Sequence, residues 1–482
     1  MITATPIEAG QLTRWPYVLS SRNGKYRITA ELCRLLVPEN RNDPSSGLIE
    51  LAFVRVPSTA PDPEPPLVFL SGGPGVSAVE MAELRWEPGG WHDNLRSVCD
   101  LILLDPRGVG LSNPRLDCLE QIDLPLDRVV TREEYLEAYR EASRRAVAFW
   151  TERGVDLRGY TTEESADDVE SVRQALGVEK VNIIGSSYGS HLSLATIRRH
   201  QERLNRAIIF LVEGPDDTYK LPSTIQRHLE DVAAMLRADP VWGSRIPDFV
   251  GLIRDTLARL AEQPVAVKVD DPESGRPITV VCGHFDLQSE TAEPLGYDQH
   301  LKEVPAAYDA MSRGDFTWLG KKVLAKRRRL WLGNAMSYYM DCASWATPER
   351  FARIEREAGE TILGDTVNFP YPAVCDAWGS PDLGEEFRKP VVSDLPTLFM
   401  TGELDARTPL SNAEAVMRGF SDCRHILIHG MGHDWPNLPD VKHALVEFLR
   451  DRPVTISEAT KVGFRFEEPS PPTPLPQAGE GS

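Results

Sequence analysis

A serine at the centre of a tight turn with glycine at both ends, Gly185-Ser186-Ser187-Tyr188-Gly189, is the stretch of this chain best suited to covalent chemistry. A turn too tight for side chains at its flanks lifts the central hydroxyl clear of the neighbouring backbone. That hydroxyl becomes a usable nucleophile once a base takes its proton and an anion holds the base in one tautomer. Two later loops offer such partners. Thr401-Gly-Glu-Leu-Asp405-Ala-Arg-Thr-Pro409 supplies Asp405, and His429-Gly-Met-Gly-His433 supplies His433, whose loop gains freedom from its glycines. Glu403 and Glu213 are alternative acids, His429 is an alternative base, and Asp405 could instead cap a following helix. Ser186 and Ser190 read as small residues of the turn. Donors for a developing oxyanion fit Ser71-Gly-Gly-Pro-Gly75: the N–H of Gly73, or else of Gly72, acting with that of Tyr188. A plain Gly-Pro turn is the competing reading of that loop.

The elements that must position these groups follow from pattern. Lys180 to Ile184 is an apolar strand running into the serine turn, and Tyr188 to His200 is a helix with Arg198, Arg199 and His200 at its C-terminal end. Ser187 therefore lies over a helix N-terminus, where partial positive charge favours developing negative charge. Leu67–Leu70 and Leu101–Leu104 are short, wholly apolar runs, the pattern of parallel strands buried on both faces. The first of them is followed by the glycine loop. Before them, residues 25–32 and 48–56 alternate as strands, and Pro61 to Pro66 is a proline-rich joint. Thr131-Arg-Glu-Glu134 has the form of a capping box and opens a helix to about Arg153; Glu163 to Leu176 is a second helix, stopped by Gly177. Strands at 207–212, 396–400 and 425–428 and a closing helix from Pro439 to Arg450 complete the rhythm. Residues 216–390 interrupt it with helical, charged sequence and a weak strand pair near 265–269 and 279–282. The expected organisation is a core in two parts, 1–215 and 391–455, a mainly helical cap at 216–390 over the site, and a disordered tail at 456–482.

Ser71 to Gly75, Leu104-Asp-Pro-Arg-Gly-Val-Gly-Leu-Ser112, the Gly185 turn, Asp405-Ala-Arg-Thr-Pro409 and Gly430-Met-Gly-His433 together resemble the prolyl iminopeptidase and tripeptidyl aminopeptidase branch of the α/β-hydrolases, over most of residues 30–450. The order Ser, Asp, His is also that of this fold. The resemblance implies a mostly parallel sheet flanked by helices, with an inserted helical cap. It also implies a serine hydrolase that removes one or a few residues from the free N-terminus of a peptide through an acyl-enzyme, with no metal or organic cofactor. Ser71 stands where many iminopeptidases have His, and Pro106 where many have Gln, so the resemblance leans to the tripeptidyl side. A carboxylesterase or amidase acting on a small non-peptide substrate uses the same machinery, and a catalytically inactive binding protein can share the fold. For a substrate ammonium, Glu213, Asp216 and Asp217 are the candidate acids.

Several residues admit a purely structural reading. Asp105 and Arg107 read as a buried pair beside the glycine loop. Trp331, Tyr338, Tyr339 and Trp345 could line a pocket or fill the core, and the six basic residues between Lys321 and Arg329 read as a solvated helix face. A net charge of −19 over 482 residues argues against a nucleic-acid partner. No apolar run reaches the roughly 18–20 residues that span a bilayer, and Met1 to Gly10 lacks the form of a secretory leader. A cytoplasmic location with seven reduced cysteines is therefore expected; export, with a Cys342–Cys375 bridge, is the alternative.

Overall fold

The structure, a computed structural model, describes residues 8–468. In chain order its strands are β1 (Leu12–Ser20), β2 (Arg27–Pro38), β3 (Leu48–Val56), β4 (Glu64–Leu70), β5 (Cys99–Asp105), β6 (Asp117–Ile122), β7 (Val181–Ser187), β8 (Leu204–Val212), β9 (Val265–Asp270), β10 (Pro277–Cys282), β11 (Leu330–Asn334), β12 (Thr397–Gly402), β13 (Cys423–His429) and β14 (Glu458–Thr460). Ten of these, among the described residues, form one sheet in the order β1-β2-β3-β5-β4-β7-β8-β12-β13-β14. The β1 to β5 side is antiparallel, and from β5 across to β14 every pairing is parallel. This is a mostly parallel sheet flanked by helices, as the resemblance implies.

The apolar runs are continuous because both faces of the parallel strands are covered. Val68, Leu70, Ile102, Leu104 and Ile183 enter one hydrophobic cluster, whereas Leu67, Phe69, Leu101, Leu103 and Ile184 enter the cluster on the opposite face. Each such side chain contributes about 1.5–3 kcal/mol of burial, and together they fix the register that aligns the strand ends. From β4 the chain first builds β5 on one side and later β7 on the other. The loops after β4 and β7 therefore diverge at a switch point, where ligands of open α/β sheets bind.

The helices follow the sequence signals closely. Thr131 and Glu134 form a reciprocal capping box on the helix Arg132–Thr151, and the helix Thr162–Leu176 ends at Gly177 in the left-handed region, φ 70°. The nucleophile-turn helix is Tyr188–His200, and the last helix is Pro439–Leu449. Between β8 and β12 the chain is mainly helical, with β9 and β10 paired antiparallel and with a hydrophobic cluster of its own that includes Leu229, Val232, Ile253, Leu257 and Leu319. No helix of the described residues is long and apolar enough to cross a membrane.

Four expectations are corrected. The segment from 456, expected as a disordered tail, carries β14 on the edge of the sheet, and Phe464 and Phe466 pack against the insertion's cluster; the tail from 469 lies outside the described residues. The insertion is stitched to the core by β11, which pairs antiparallel with β6 from Leu330↔Ile122 to Asn334↔Asp117, a strand pair too short for its pattern to signal. The basic run is a solvated face only in part: Lys321 and Arg329 are exposed, but one member turns inward. Arg327 is fully buried, donating to both carboxylate oxygens of Asp286 at 2.9 and 2.8 Å and to the Pro125 and Arg128 carbonyls. Finally, Cys342 and Cys375 are bridged, not reduced.

Candidate active site

The turn after β7 is strained where the sequence places its serine. Ser187 has φ 55°, ψ −127°, a conformation that L-residues rarely adopt. Close approach enforces the glycine that follows: a Cβ on Gly189 would lie 1.9 Å from the Leu70 carbonyl oxygen at the end of β4. The Ser190 hydroxyl, read as a small turn residue, donates to the Ser187 carbonyl at 2.5 Å and accepts from the Glu213 N–H at 2.7 Å, tying the turn to the end of β8.

Three distant segments then meet. His433 Nε2 lies 3.1 Å from Ser187 Oγ, and His433 Nδ1 lies 2.9 Å from Asp405 Oδ2. With Nδ1 facing a carboxylate, its proton belongs there, which leaves the Nε2 lone pair toward the serine hydroxyl. Asp405 is held by its own loop: its Oδ1 accepts from the Arg407 and Thr408 N–H groups at 2.8 and 2.9 Å, and its Oδ2 from the Thr408 hydroxyl at 2.6 Å. Burial by itself would raise this carboxyl. The charge and hydrogen bond of His433, together with the Thr408 donors, outweigh that effect and hold it below the ordinary carboxylate range. The insertion contributes as well, because the Gly296 carbonyl accepts from the His433 N–H at 2.9 Å and the Tyr297 ring packs edge-on to the imidazole at 5.6 Å.

The glycine loop reaches the same place. A Cβ on Gly72 would sit 3.2 Å from the Ser187 Cβ, so bare backbone here passes directly beside the nucleophile turn. Gly73 lines the cavities around Ser187, and Tyr188 is the first residue of its helix, where an N–H has no intrahelical acceptor. Ser337 of the insertion donates to the Pro74 carbonyl at 2.8 Å and holds the loop from above. A hydroxyl, an imidazole, a carboxylate and flanking backbone donors in this arrangement can carry out acyl transfer.

The competing residues have other partners. His429 is partly exposed and ion-paired with Glu403 and Glu458, so neither it nor Glu403 joins the serine. Glu213 is buried against Lys220 Nζ at 2.6 Å; the charges of Lys220 and His191 overcome its burial and keep it ionised. Asp216 accepts from the Thr347 N–H and hydroxyl, and Asp217 pairs with Arg350 at 2.7 Å, so both expected ammonium ligands are committed to structure. Asp105 and Arg107 are buried but not paired with each other. Arg107 forks onto Asp168 at 2.7 and 2.8 Å, while Asp105 accepts from the Ser77 hydroxyl and the Val79 and Leu111 N–H groups. Of the four aromatic residues weighed for a pocket, Tyr338 and Tyr339 are core, Trp345 packs on Tyr219 and Phe351, and Trp331 is 67% exposed.

A cavity of about 680 Å³ opens from Ser187 under the insertion and is lined by Tyr219, Glu293, Asp341, Tyr371 and Arg407, with the Glu213–Lys220 pair on its wall. Asp341, Lys220 and Arg407 were not singled out from sequence. Arg407 stands two residues after Asp405 in a loop already recognised, a placement that could have flagged it; Asp341 lies mid-helix with no local signal. Among the described residues there is no cluster of three or more His, Cys, Asp or Glu placed to hold a metal ion.

Comparison with known proteins gives the family. A family model described as alpha/beta hydrolase fold matches residues 65–262, and one described as TAP-like protein matches residues 360–454. Tripeptidyl aminopeptidase of Streptomyces lividans is 30% identical over 413 residues, 81% of this chain and 75% of that protein. Serine protease Hip1 of Mycobacterium tuberculosis is 30% identical over 210 residues, 42% of this chain, and carboxylesterase B of the same organism is 33% identical over 233 residues, 48% of this chain. The match spans 39% of the length of each of these last two relatives.

Proposed function

This chain belongs to the tripeptidyl-aminopeptidase-like branch of the α/β-hydrolases, a family of serine hydrolases and peptidases, and from that premise we propose that it is an aminopeptidase releasing one or a few residues from the free N-terminus of short peptides. The observation that carries the reading is the unbroken hydrogen-bonded chain from Ser187 through His433 to Asp405 at the head of the 680 Å³ cavity. Ser187 Oγ attacks the scissile carbonyl while His433 Nε2 takes its proton. The N–H groups of Gly73 and Tyr188 receive the oxyanion. His433 then gives the proton to the departing amine, and water, activated by the same imidazole, releases the acyl group.

The substrate ammonium finds its counter-charge in the cavity. Asp341 lines the wall; burial and the neighbouring Glu213 charge push its carboxyl well above the ordinary range, against the opposing influence of Lys220 and Tyr371. Lys220 and Arg407 do not outweigh that burial, and a carboxyl held neutral in this way ionises when an ammonium arrives, so binding is coupled to a free N-terminus. Glu213, balanced by Lys220, supports this site as a neighbour of Asp341. The Cys342–Cys375 bridge, adjacent in sequence to Asp341, supports work in an oxidising compartment.

The 33% identity to a carboxylesterase over 48% of the chain favours a second reading, hydrolysis of small esters or amides. A tripeptidyl anilide with a free amine and its N-acetylated form separate the two. An aminopeptidase loses at least about tenfold in kcat/KM on acetylation, whereas equal rates reject the aminopeptidase reading and leave the esterase.

A further inference from the structure

Ser187 stands where two cavities of different chemistry meet, and Gly73, Tyr297 and Arg407 line both with it. The larger runs under the insertion and carries the carboxyls already described. The smaller, about 240 Å³, lies over the sheet, walled by Phe69, Met81, His92, Phe210 and Trp435. Its histidine adds no charge: burial pushes the His92 imidazole down to about 4, so it is neutral at neutral pH and stacks between Phe69 and Trp86. This volume lies below the roughly 300 Å³ at which pockets begin to hold drug-sized ligands. It suits a fragment of one residue.

His433 decides which half of a substrate enters which cavity. His433 lines the smaller cavity and not the larger. In acyl transfer the imidazolium protonates the departing atom, so the departing fragment lies on the side the imidazole faces. The acyl portion then extends into the larger cavity, toward Asp341.

Arg407 stands at the neck between the two. Its guanidinium makes no hydrogen bond and no ion pair with any described residue, and it lies over the Tyr297 ring at 5.7 Å. Neighbouring arginines of the fold, such as Arg107 and Arg350, are each forked or paired onto acids. A half-buried guanidinium stacked on an aromatic ring at the neck of the two cavities, its charge also felt by Glu213 and Asp341 of the larger one, matches a planar carboxylate. Arg85 lies at the rim of the same cavity, over Trp435 at 5.4 Å, with its charge partly met by Asp434 at 3.9 Å.

We propose that Arg407 is a specificity-determining residue that pairs with the α-carboxylate of a one-residue leaving group, so that the preferred substrates are short peptides ending one residue beyond the cleaved bond. The assignment rests on the acyl-enzyme chemistry proposed above, and its test is built to separate the two. Matched free-amine peptides sharing one acyl part, with a single apolar leaving residue as free acid or as amide, are compared by kcat/KM in the wild type, Arg407→Gln and Arg407→Lys. The wild type favours the acid by about tenfold or more. In Arg407→Gln the acid-to-amide ratio falls to near one, and Arg407→Lys keeps part of it, since an ammonium retains charge but not the planar fork. A wild-type ratio near one overturns the proposal. So does a ratio that persists in Arg407→Gln while kcat falls equally for both peptides, the result expected if Arg407 merely props Tyr297 against His433. If neither peptide is cleaved, the aminopeptidase reading fails by itself. The same ratio is then read with acetyl esters of glycolate and glycolamide, where a preference for glycolate lost in Arg407→Gln sustains the assignment and its absence overturns it.

Discussion

The carboxyl edge of the sheet and the inserted segment between β8 and β12 solve the same problem, placing polar groups at depth, by opposite means. At the sheet edge, backbone geometry does the placing. The Ser187 turn is strained to φ 55°, and Gly189 lies against the Leu70 carbonyl. Asp405 is gripped by two N–H groups of its own loop. In the insertion, side chains do the placing: Arg327 reaches Asp286, Tyr135 and two carbonyls from three separate stretches of chain, and Lys220 neutralises Glu213. Backbone-placed groups have local signatures in the sequence, and side-chain-placed groups depend on partners far along the chain.

The comparison can be broken where it predicts separate failures. Asp405→Asn leaves the loop's N–H donors a carbonyl to bond but removes the charge that orients His433; kcat should fall about 10⁴-fold while urea unfolding shows a much smaller change. A modest kinetic loss would mean that another acid orients the imidazole. Asp286→Asn, in the insertion, strands a fully buried guanidinium and should lower stability by about 3–5 kcal/mol. The folded fraction should still react with a small acyl ester at an unchanged rate, and coupled losses of both would show that the two regions are not separable. The smallest effect concerns Asp105 at the end of β5. Burial raises its carboxyl to about 6, against the pull of the Leu111 and Val79 N–H groups and the Ser77 hydroxyl. Because the folded value exceeds the unfolded one, its contribution is present below pH 4 and is lost as pH rises through 6, a fall of about 3 kcal/mol. In Asp105→Asn the stability profile from pH 3 to 7 should be flatter by that amount, and an unchanged slope would refute the raised value.

The same division explains what could be read from the chain without coordinates. The glycine-flanked serine, the glycine loop and the late acid and histidine loops each follow a short apolar strand, so periodicity and local residue type mark them; the fold is legible for the same reason. Side-chain networks leave no such trace. Six basic residues in nine read as a solvated face because spacing cannot reveal that Arg327 points inward to an acid 41 residues earlier. Asp216 and Asp217 stand beside the site in sequence yet are consumed by Thr347 and Arg350, more than 130 residues later. Asp105 and Arg107 sit close enough to suggest a pair, but β5 ends at Asp105 and the chain turns from Pro106, so the two side chains meet different partners. β11 and β6 pair across more than 200 residues in runs of five and six residues, too short for a strand pattern to stand out.

The central claim is that the Ser187 oxygen is the nucleophile. Reaction of the intact protein with a fluorophosphonate, followed by mass spectrometry of its peptides, should place one adduct on Ser187, slowed strongly in Asp405→Asn and absent from Ser187→Ala. No adduct in the wild type, or an adduct that survives Ser187→Ala, would contradict the account.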